Sequence, residues 1–270
     1  MTVAVTGGAR GIGRATAEAF ARQGRAVAIG DVNLEEAERA AEAIGPSAIA
    51  LPLDVRDRGS FGVFLDEAES RHGPLSVLVN NAGIMSIGAF LDEDDETSRR
   101  MLEINAYGVL VGSRLAAVRM AARGDGHIVN VASAAGRIGF AGGATYCATK
   151  FFVVGLSEAL HTELRGSGVR VSCILPGVVD TELVTGLNVP RFVRPTPPEG
   201  VAEAIVRAVR KNRFETFVPR SIGRASWLTS LFPRRLVEVA GKAVGAERAL
   251  FEHDRAARQA YEERVRQEAE

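Results

Sequence analysis

Short apolar runs alternate with longer segments of helical periodicity from residue 3 to residue 218 of this chain. This alternation is the pattern of successive βαβ units, whose strands pair in parallel through right-handed crossovers. Most of the runs are continuously apolar, which indicates strands that are covered by helices on both faces. The predicted strands are residues 3–5, 26–29, 48–51, 77–79, 127–131, 169–175 and, more weakly, 216–218. The predicted helices are residues 14–23, 34–44, 61–71, 98–123, 145–165 and 199–211.

The pattern therefore predicts an α/β fold with a Rossmann-like, doubly wound parallel sheet of about seven strands. A length of 270 residues and a hydrophobic content of 46% suit one large domain, so a second full domain is not expected. We assign residues 1–222 to this domain and residues 223–270 to a C-terminal helical extension. A proline cluster at 190–198 predicts a mobile loop at the pocket mouth, within a substrate loop at about 183–198.

Charge and cysteine content argue against several classes of function. The 33 basic and 33 acidic residues cancel, so the whole chain gives no electrostatic reason to expect nucleic acid as a partner. Cys147 and Cys173 form neither a disulfide framework nor a metal-ligand spacing, so no metal is expected. The first strand leads into a glycine turn without the pattern of a secretory signal, and no apolar segment is long enough to cross a bilayer. We therefore expect a cytoplasmic protein.

A glycine-rich turn, Thr-Gly-Gly-Ala-Arg-Gly-Ile-Gly at 6–13, separates the first predicted strand from the first predicted helix. Such glycines allow backbone N–H groups to approach a pyrophosphate at the helix N-terminus, although the same pattern also suits an ordinary turn. Asp31 ends the second predicted strand, where a carboxylate can bind the adenosine ribose and repel the extra phosphate of NADP. NAD is therefore the expected cofactor. Arg10 could reach a 2′-phosphate or be a solvated cation, so NADP is the less favoured alternative.

Tyr146 and Lys150 stand four residues apart in a predicted helix, so the phenol and the ammonium project from one helix face. A neighbouring cation favours the ionised form of a phenol, whose ordinary pKa is about 10. The spacing thus predicts a lowered pKa for Tyr146 and a role as acid or base. Ser133 lies upstream and Asn105 in an earlier helix, and each of these residues, taken singly, also has a purely structural interpretation.

Together these motifs resemble the short-chain dehydrogenase/reductase family over about residues 1–220. The remaining matches are Asn-Asn-Ala-Gly at 80–83, Asn105 in Glu-Ile-Asn-Ala-Tyr-Gly, Pro-Gly-Val-Val-Asp-Thr at 176–181, and the pair Asp54-Val55. Two departures are small: the first strand is short at its start, and Cys147 stands where the family commonly has serine or glycine.

The resemblance implies an NAD(P)-dependent oxidoreductase that interconverts a secondary alcohol and its ketone by hydride transfer. Tyr146 would exchange a proton with the substrate oxygen, while Lys150 would lower the pKa of Tyr146 and hold the nicotinamide ribose. Ser133 would donate a hydrogen bond to the substrate oxygen, and Asn105 would position a water that links Lys150 to solvent. The implied cofactor-binding residues are Gly7, Arg10, Gly11, Ile12, Gly13, Asp31, Asp54, Val55, Asn81, Ala82, Gly83, Tyr146, Lys150, Pro176, Gly177, Val179 and Thr181.

The resemblance also implies a homodimer or homotetramer that assembles through the long helices holding Asn105 and Tyr146. A non-catalytic dinucleotide-binding scaffold or redox sensor is the alternative function. The expected pocket wall is mainly apolar and favours a hydrophobic alcohol or ketone, such as a steroid-, retinoid- or lipid-like molecule. It comprises Met85, Ala134, Ala135, Ile138, Phe140 and residues 183–193, with Arg137, Arg191 and Arg194 as cations that could meet an anionic headgroup.

The C-terminal extension has two parts. Residues 224–245 combine an apolar helical stripe with basic neighbours and Trp227, a pattern that suits peripheral membrane contact. The same stripe more often covers a pocket or a subunit contact, which is the interpretation we favour. Residues 248–270 are highly charged and predict a solvated helical end.

Overall fold

The computed structural model describes residues 1–186 and 194–223, together with Arg258, Tyr261, Glu263 and Arg264. Within these residues the chain forms a single seven-stranded sheet in the order β3-β2-β1-β4-β5-β6-β7, with every neighbouring pair parallel. The strands are β1 Thr2–Thr6, β2 Ala26–Asp31, β3 Ala48–Pro52, β4 Leu75–Asn80, β5 Gly126–Val131, β6 Val169–Pro176 and β7 Glu215–Val218. The predicted Rossmann-like architecture and all seven predicted strands are confirmed.

Helices cover both faces of the sheet. They are α1 Gly11–Ala21, α2 Leu34–Ile44, α3 Arg58–His72, α4 Asp95–Leu102, α5 Gly108–Arg123, α6 Ala144–Glu163 and α7 Pro198–Lys211. Apolar residues of α1, α2 and α7 pack on one face of the sheet, and those of α3, α5 and α6 pack on the other. The two-sided cover explains why β1, β4 and β5 are buried along their whole length.

The predicted helix over 98–123 is present, but it contains a π-helical turn that the sequence did not predict. Helix α4 ends at Leu102, a π-helical turn follows at Glu103–Tyr107, and α5 begins at Gly108. The turn carries Asn105, whose side chain hydrogen-bonds the backbone of Ile84 instead of facing solvent. Such π-turns are rare in proteins, and those that occur are often found at functional sites.

The reversal of strand order between β1 and β4 positions the site. Strands β2 and β3 lie on one side of β1, and β4 to β7 lie on the other. In doubly wound sheets, ligands bind in the crevice outside the carboxyl ends of the strands at this point. The loops that follow β1 and β4 should therefore border a binding cleft.

Some predictions fall outside the described residues. Residues 187–193, which include Arg191 and most of the proline-flanked loop, belong to this group, as do residues 224–245 with their proposed membrane or pocket contact. None of the helices in the described part of the chain is both long enough and apolar enough to span a membrane.

Candidate active site

The glycine turn packs directly against the loop that follows β4. Gly7 and Gly11 have φ angles of 61° and 54°, a left-handed conformation that favours glycine. A Cβ atom at Gly7 would lie 2.8 Å from the Cα atom of Ala82, and one at Gly13 would lie 2.0 Å from the carbonyl oxygen of Gly7. Side chains are therefore excluded at Gly7 and Gly13, and α1 begins at Gly11, earlier than predicted.

Hydrogen bonds hold the turn in place. The amide of Asn81 donates through Nδ2 to the carbonyl oxygens of Thr6, at 3.0 Å, and Gly7, at 2.9 Å. The hydroxyl oxygen of Thr6 in turn accepts from the backbone N–H groups of Asn81 and Ala82, each at 3.0 Å. The two loops at the strand-order reversal thus form one rigid unit at the N-terminus of α1.

A cleft with a volume of ≈ 230 Å³ opens beside this unit. The predicted cofactor-binding residues that line it are Gly7, Arg10, Gly11, Ile12, Asp31, Asp54, Val55, Asn81, Ala82, Gly83 and Thr181. The others, Gly13, Tyr146, Lys150, Pro176, Gly177 and Val179, lie outside this lining. Gly13 is behind the turn, against the Gly7 carbonyl, and Gly177 is held by a 2.8 Å hydrogen bond from its N–H to the carbonyl of Val218.

Sequence reasoning missed several lining residues. Val32, Leu53, Arg56, Ile84 and Glu182 adjoin predicted positions in the chain, so chain proximity to the motifs was an available signal. Tyr261 and Arg264 also line the cleft, although they lie far beyond the motifs and carry no signal of their own.

Asp31 lies at the end of β2, where it lines the cleft, and it is 7% exposed. Its Oδ2 atom accepts from the N–H of Ala9 at 3.0 Å, and its Oδ1 atom accepts from the N–H of Asn33 at 3.2 Å. These bonds fix the carboxylate and tie it to the glycine turn.

Arg10 is engaged by two carboxylates. Its Nε atom lies 3.3 Å from Glu36 and its Nη1 atom lies 3.2 Å from Glu182. A 2′-phosphate would have to compete with both of these anions. Arg10 caps α1 and its side chain is 27% exposed, so it is a partly solvated helix-cap cation whose partners come from two separate elements.

Ser133, Tyr146 and Lys150 come together at the carboxyl end of β5. Ser133 begins a short 3₁₀ turn, and its hydroxyl is close enough to the phenol of Tyr146 to lower the pKa of that group. The ammonium of Lys150 donates to the carbonyl oxygen of Val131 at 3.2 Å and lies 5.7 Å from the centroid of the Tyr146 ring. Tyr146 and Lys150 are each 6% exposed.

The predicted lowering of the Tyr146 pKa is wrong for this structure. Burial raises the pKa of Tyr146 to about 12, and the proximity of the Ser133 hydroxyl, which lowers it, only partly offsets that effect. Burial also lowers the pKa of Lys150 to about 8, so the same environment disfavours both charged forms. At neutral pH the phenol therefore carries its proton.

Asn105 connects the site to the π-turn. Its Oδ1 atom accepts from the N–H of Ile84 at 2.8 Å, and its Nδ2 atom donates to the carbonyl of Ile84 at 2.8 Å and to the hydroxyl of Thr149 at 3.2 Å. Thr149 donates in turn to the carbonyl of Tyr146 at 2.7 Å. Asn105 thus anchors both the loop after β4 and the turn of α6 that carries Tyr146.

An apolar cluster surrounds Tyr146. Its buried members are Met85, Ile87, Met101, Ala135, Tyr146 and Cys147, with Ile84, Phe140, Leu183 and Val184 packed against them. Of the predicted pocket wall, the cluster contains Met85, Ala135, Phe140, Leu183 and Val184. Ala134 and Ile138 are absent from it, and Ile138 is 47% exposed. Arg137 pairs with Glu158 at 2.6 Å and Glu215 at 2.5 Å. These two carboxylates already occupy the position in which an anionic headgroup of a substrate would bind Arg137.

The prediction of a solvated C-terminal end is wrong for two of its residues. Arg258 is 2% exposed and Tyr261 is 8% exposed. The guanidinium of Arg258 donates hydrogen bonds to backbone carbonyls of the site, and the aromatic ring of Tyr261 supplies apolar area, so both are buried despite the charged composition of the segment.

Residues 1–190 match the family model of the short chain dehydrogenases. Sorbitol dehydrogenase of Cereibacter sphaeroides is 39% identical over 232 residues, which are 85% of this chain and 88% of that protein. Cis-4-hydroxycyclohexanecarboxylate dehydrogenase of Sinomonas cyclohexanicum is 41% identical over 215 residues, which are 74% of this chain and 86% of that protein.

Two solved structures share the fold. A short chain dehydrogenase/reductase of Burkholderia phymatum in complex with NAD superposes with a TM-score of 0.77 at 26% identity, covering 84% of this chain and 92% of that one. The 3-ketoacyl-(acyl-carrier-protein) reductase of Brucella melitensis complexed with NADH gives a TM-score of 0.75 at 27% identity, covering 80% of this chain and 96% of that one.

Proposed function

Because this chain belongs to the short-chain dehydrogenase/reductase family and is an NAD(P)-dependent oxidoreductase, we propose that it interconverts a hydrophobic secondary alcohol and its ketone. The single observation that carries the proposal is the buried phenol of Tyr146. It lies beside the Ser133 hydroxyl, within an apolar cluster that adjoins the cleft. Steroid-, retinoid- and lipid-like substrates all suit such a cluster. A hydroxyl on a carbon ring is favoured among them, as the name of the cyclohexanecarboxylate relative suggests.

The residues of the cleft fit a dinucleotide. The glycine turn has no room for side chains at Gly7 and Gly13 and presents the N-terminus of α1, which suits a pyrophosphate. Asp31 is fixed at the end of β2, where a ribose hydroxyl donor would meet it. When bound, the nicotinamide supplies or accepts the hydride.

The protein's own part in the chemistry is proton transfer and charge stabilisation. Tyr146 is protonated at neutral pH because burial raises its pKa to about 12, so it can donate a proton to a ketone oxygen. Ser133 can donate a second hydrogen bond to the same oxygen, where negative charge develops. The apolar cluster around them excludes water and strengthens both interactions.

NAD is the proposed cofactor. Asp31 would lie next to a 2′-phosphate and repel it, while Arg10 is already paired with Glu36 and Glu182. In fluorescence titrations we expect NADH to bind at least about tenfold more tightly than NADPH, because one unfavourable charge contact costs about 1.4 kcal/mol or more. Tighter binding of NADPH would show that Arg10 outweighs Asp31.

A panel of secondary alcohols tests the reaction, with NADH absorbance as the readout. The panel spans polyols, cyclic alcohols, fatty alcohols and steroids, each offered with NAD and with NADP. The proposal expects turnover of hydrophobic members above that of polyols. A chain that binds NADH but turns over no member would instead be a dinucleotide-binding scaffold or redox sensor.

Assembly and location are further proposals. Exposed apolar side chains on α5 and α6, Val118 at 68%, Phe151 at 46% and Phe152 at 42%, support a homodimer or homotetramer through these helices. Light scattering of Phe151→Asp against the parent tests this, and an unchanged mass would contradict it.

Peripheral membrane contact through 224–245 and a cytoplasmic location rest on the sequence, and co-sedimentation of the full chain with anionic and neutral liposomes tests the contact.

A further inference from the structure

Arg258 lies far beyond the family motifs and reaches two loops of the active site. Its side chain is 2% exposed. Its Nη1 atom donates to the carbonyl oxygen of Leu183 at 2.9 Å, and its Nη2 atom donates to the carbonyl oxygen of Met85. Met85 follows β4 and Leu183 follows β6, so one guanidinium connects segments that are separate in sequence.

Tyr261 adds a second set of contacts in the same place. Its hydroxyl accepts from the N–H of Met85 at 3.3 Å, so both backbone groups of Met85 are bound by the C-terminal segment. The guanidinium carbon of Arg258 lies 4.5 Å from the centroid of the Tyr261 ring, a cation–π arrangement. Arg264 joins them through a 2.8 Å ion pair with Glu182, at the edge of the cleft.

These contacts bear on substrate binding because they are made to residues beside Tyr146. Met85 and Leu183 both belong to the apolar cluster around Tyr146, and Tyr261 lines the adjoining cleft together with Ile84 and Leu183. Tyr261 is also close enough to Tyr146 to raise the pKa of that phenol. Tyr261 therefore lies where the cleft adjoins the apolar cluster around Tyr146.

We propose that Tyr261 and Arg258 complete the substrate site, with Tyr261 as a specificity-determining residue and Arg258 as a positioning residue that holds the Met85 and Leu183 loops together. The proposal rests on the proposed function only in assigning Tyr146 to the reacting oxygen. Tyr261 limits the size of the substrate, and Arg258 sets the distance between the two loops that contact it.

The first test compares two cyclic alcohols of different size, cyclohexanol and trans-2-decalol, in the full chain. Tyr261→Ala removes the ring, so kcat/KM for decalol relative to cyclohexanol should rise roughly tenfold, the size of discrimination that a few methylenes give in an apolar pocket. Tyr261→Phe keeps the ring and should leave the ratio near that of the parent. Tyr107→Ala is the control, because Tyr107 is 48% exposed. An unchanged ratio in Tyr261→Ala would overturn the proposal.

The second test does not depend on turnover. Residue-resolved hydrogen exchange should show the Met85 amide exchanging at least about tenfold faster in Tyr261→Phe, because the hydroxyl that accepts its N–H is gone. The neighbouring Ile84 amide is the internal control, since it donates to Asn105. Arg258→Met preserves the volume of the side chain but loses both donors, and should speed exchange in both loops.

Equal exchange at Met85 in the parent, Tyr261→Phe and Arg258→Met would refute the contacts themselves. In one outcome, the parent turns over no alcohol while the variants still show faster exchange at Met85. That result would uphold the contacts of Arg258 and Tyr261 and reject the proposed reaction, so the two failures are distinguishable.

A pH profile separates a role at the site from a merely structural one. Ser133, Cys147, Lys150 and Tyr261 are the polar and titratable groups near the Tyr146 phenol. Burial and the proximity of Tyr261 both raise the pKa of Tyr146, so Tyr261→Ala should move the pH dependence of alcohol oxidation to lower pH. A profile identical to that of the parent would contradict the placement of Tyr261 beside the reacting groups.

Discussion

At the scale of single residues, the motifs located the polar groups but could not give their electrostatics. The spacing of Tyr146 and Lys150 in the sequence predicts that both side chains face one site, and the structure brings them together with Ser133. The direction of the Tyr146 pKa was predicted wrongly, because sequence spacing contains no information about burial. The phenol is 6% exposed, and desolvation outweighs its polar partners.

Alcohol oxidation should therefore become faster as the pH rises. Oxidation needs Tyr146 without its proton, and burial raises the pKa of Tyr146 to about 12, so the basic form grows about tenfold for each pH unit below that value. Ketone reduction needs the protonated form and should stay level from neutral pH to about pH 10. Initial rates in both directions, measured between pH 6 and 10 in buffers of constant ionic strength, check this. A plateau in oxidation near pH 7 would show that a bound partner lowers the pKa of Tyr146 after all.

At the scale of elements, the periodicity of the sequence predicted every strand, but it did not predict the π-helical turn at Glu103–Tyr107. Apolar runs are visible in the sequence because sheet burial requires them on both faces. The interruption at Glu103–Tyr107 is invisible to periodicity, since it depends on Asn105 reaching Ile84, a partner 21 positions earlier in the chain. Family resemblance gave Asn105 a role as holder of a water, which stays a prediction. The structure adds its role as an anchor.

Asn105→Ala should weaken both the fold and the reaction. The substitution leaves the N–H and carbonyl of Ile84 and the hydroxyl of Thr149 without their side-chain partner, at a cost of about 1–3 kcal/mol in unfolding free energy for each group left buried and unsatisfied. Urea unfolding and kcat measure the two effects. The control is Tyr107→Ala in the same π-turn, whose side chain is 48% exposed and should be nearly neutral. Equal stability of the two variants would contradict the anchoring role.

At the scale of the whole molecule, the sequence predicted the sheet but not the burial of Arg258 and Tyr261. The described sheet lies within residues 2–218, and the division of the chain at residue 222 stays a prediction. The charged composition of 248–270 pointed to solvent, yet Arg258 and Tyr261 are buried at the cleft. Composition could not show this, because a guanidinium can be buried wherever backbone carbonyls accept from it, and the positions of those carbonyls are set only by the folded chain.

The whole fold should lose stability in mild acid through His127. This residue is 2% exposed in β5 and its Nε2 atom lies 2.8 Å from the hydroxyl of Ser172. Burial, aided by Arg170, lowers the pKa of His127 to about 4, whereas the unfolded chain should titrate near 6.5. The stabilising contribution is therefore complete above about pH 6.5 and is lost as the pH falls through 4, and it amounts to on the order of 3 kcal/mol.

Urea unfolding of the parent and of His127→Gln between pH 4 and 7 checks this. Glutamine has no charge to gain, so its variant should show a flatter pH dependence, whatever its stability at pH 7. Parallel curves for the two proteins would show that other groups govern acid unfolding.

Tyr146→Phe tests the central claim most directly, namely that this phenol exchanges the proton with the substrate oxygen. The account predicts that alcohol oxidation falls at least about a thousandfold, within the range that general acid–base catalysis contributes, while NADH binding stays within about threefold of the parent. Tyr107→Phe, the same change at an exposed position, should leave both quantities unchanged. Turnover by Tyr146→Phe equal to that of the parent would contradict the account.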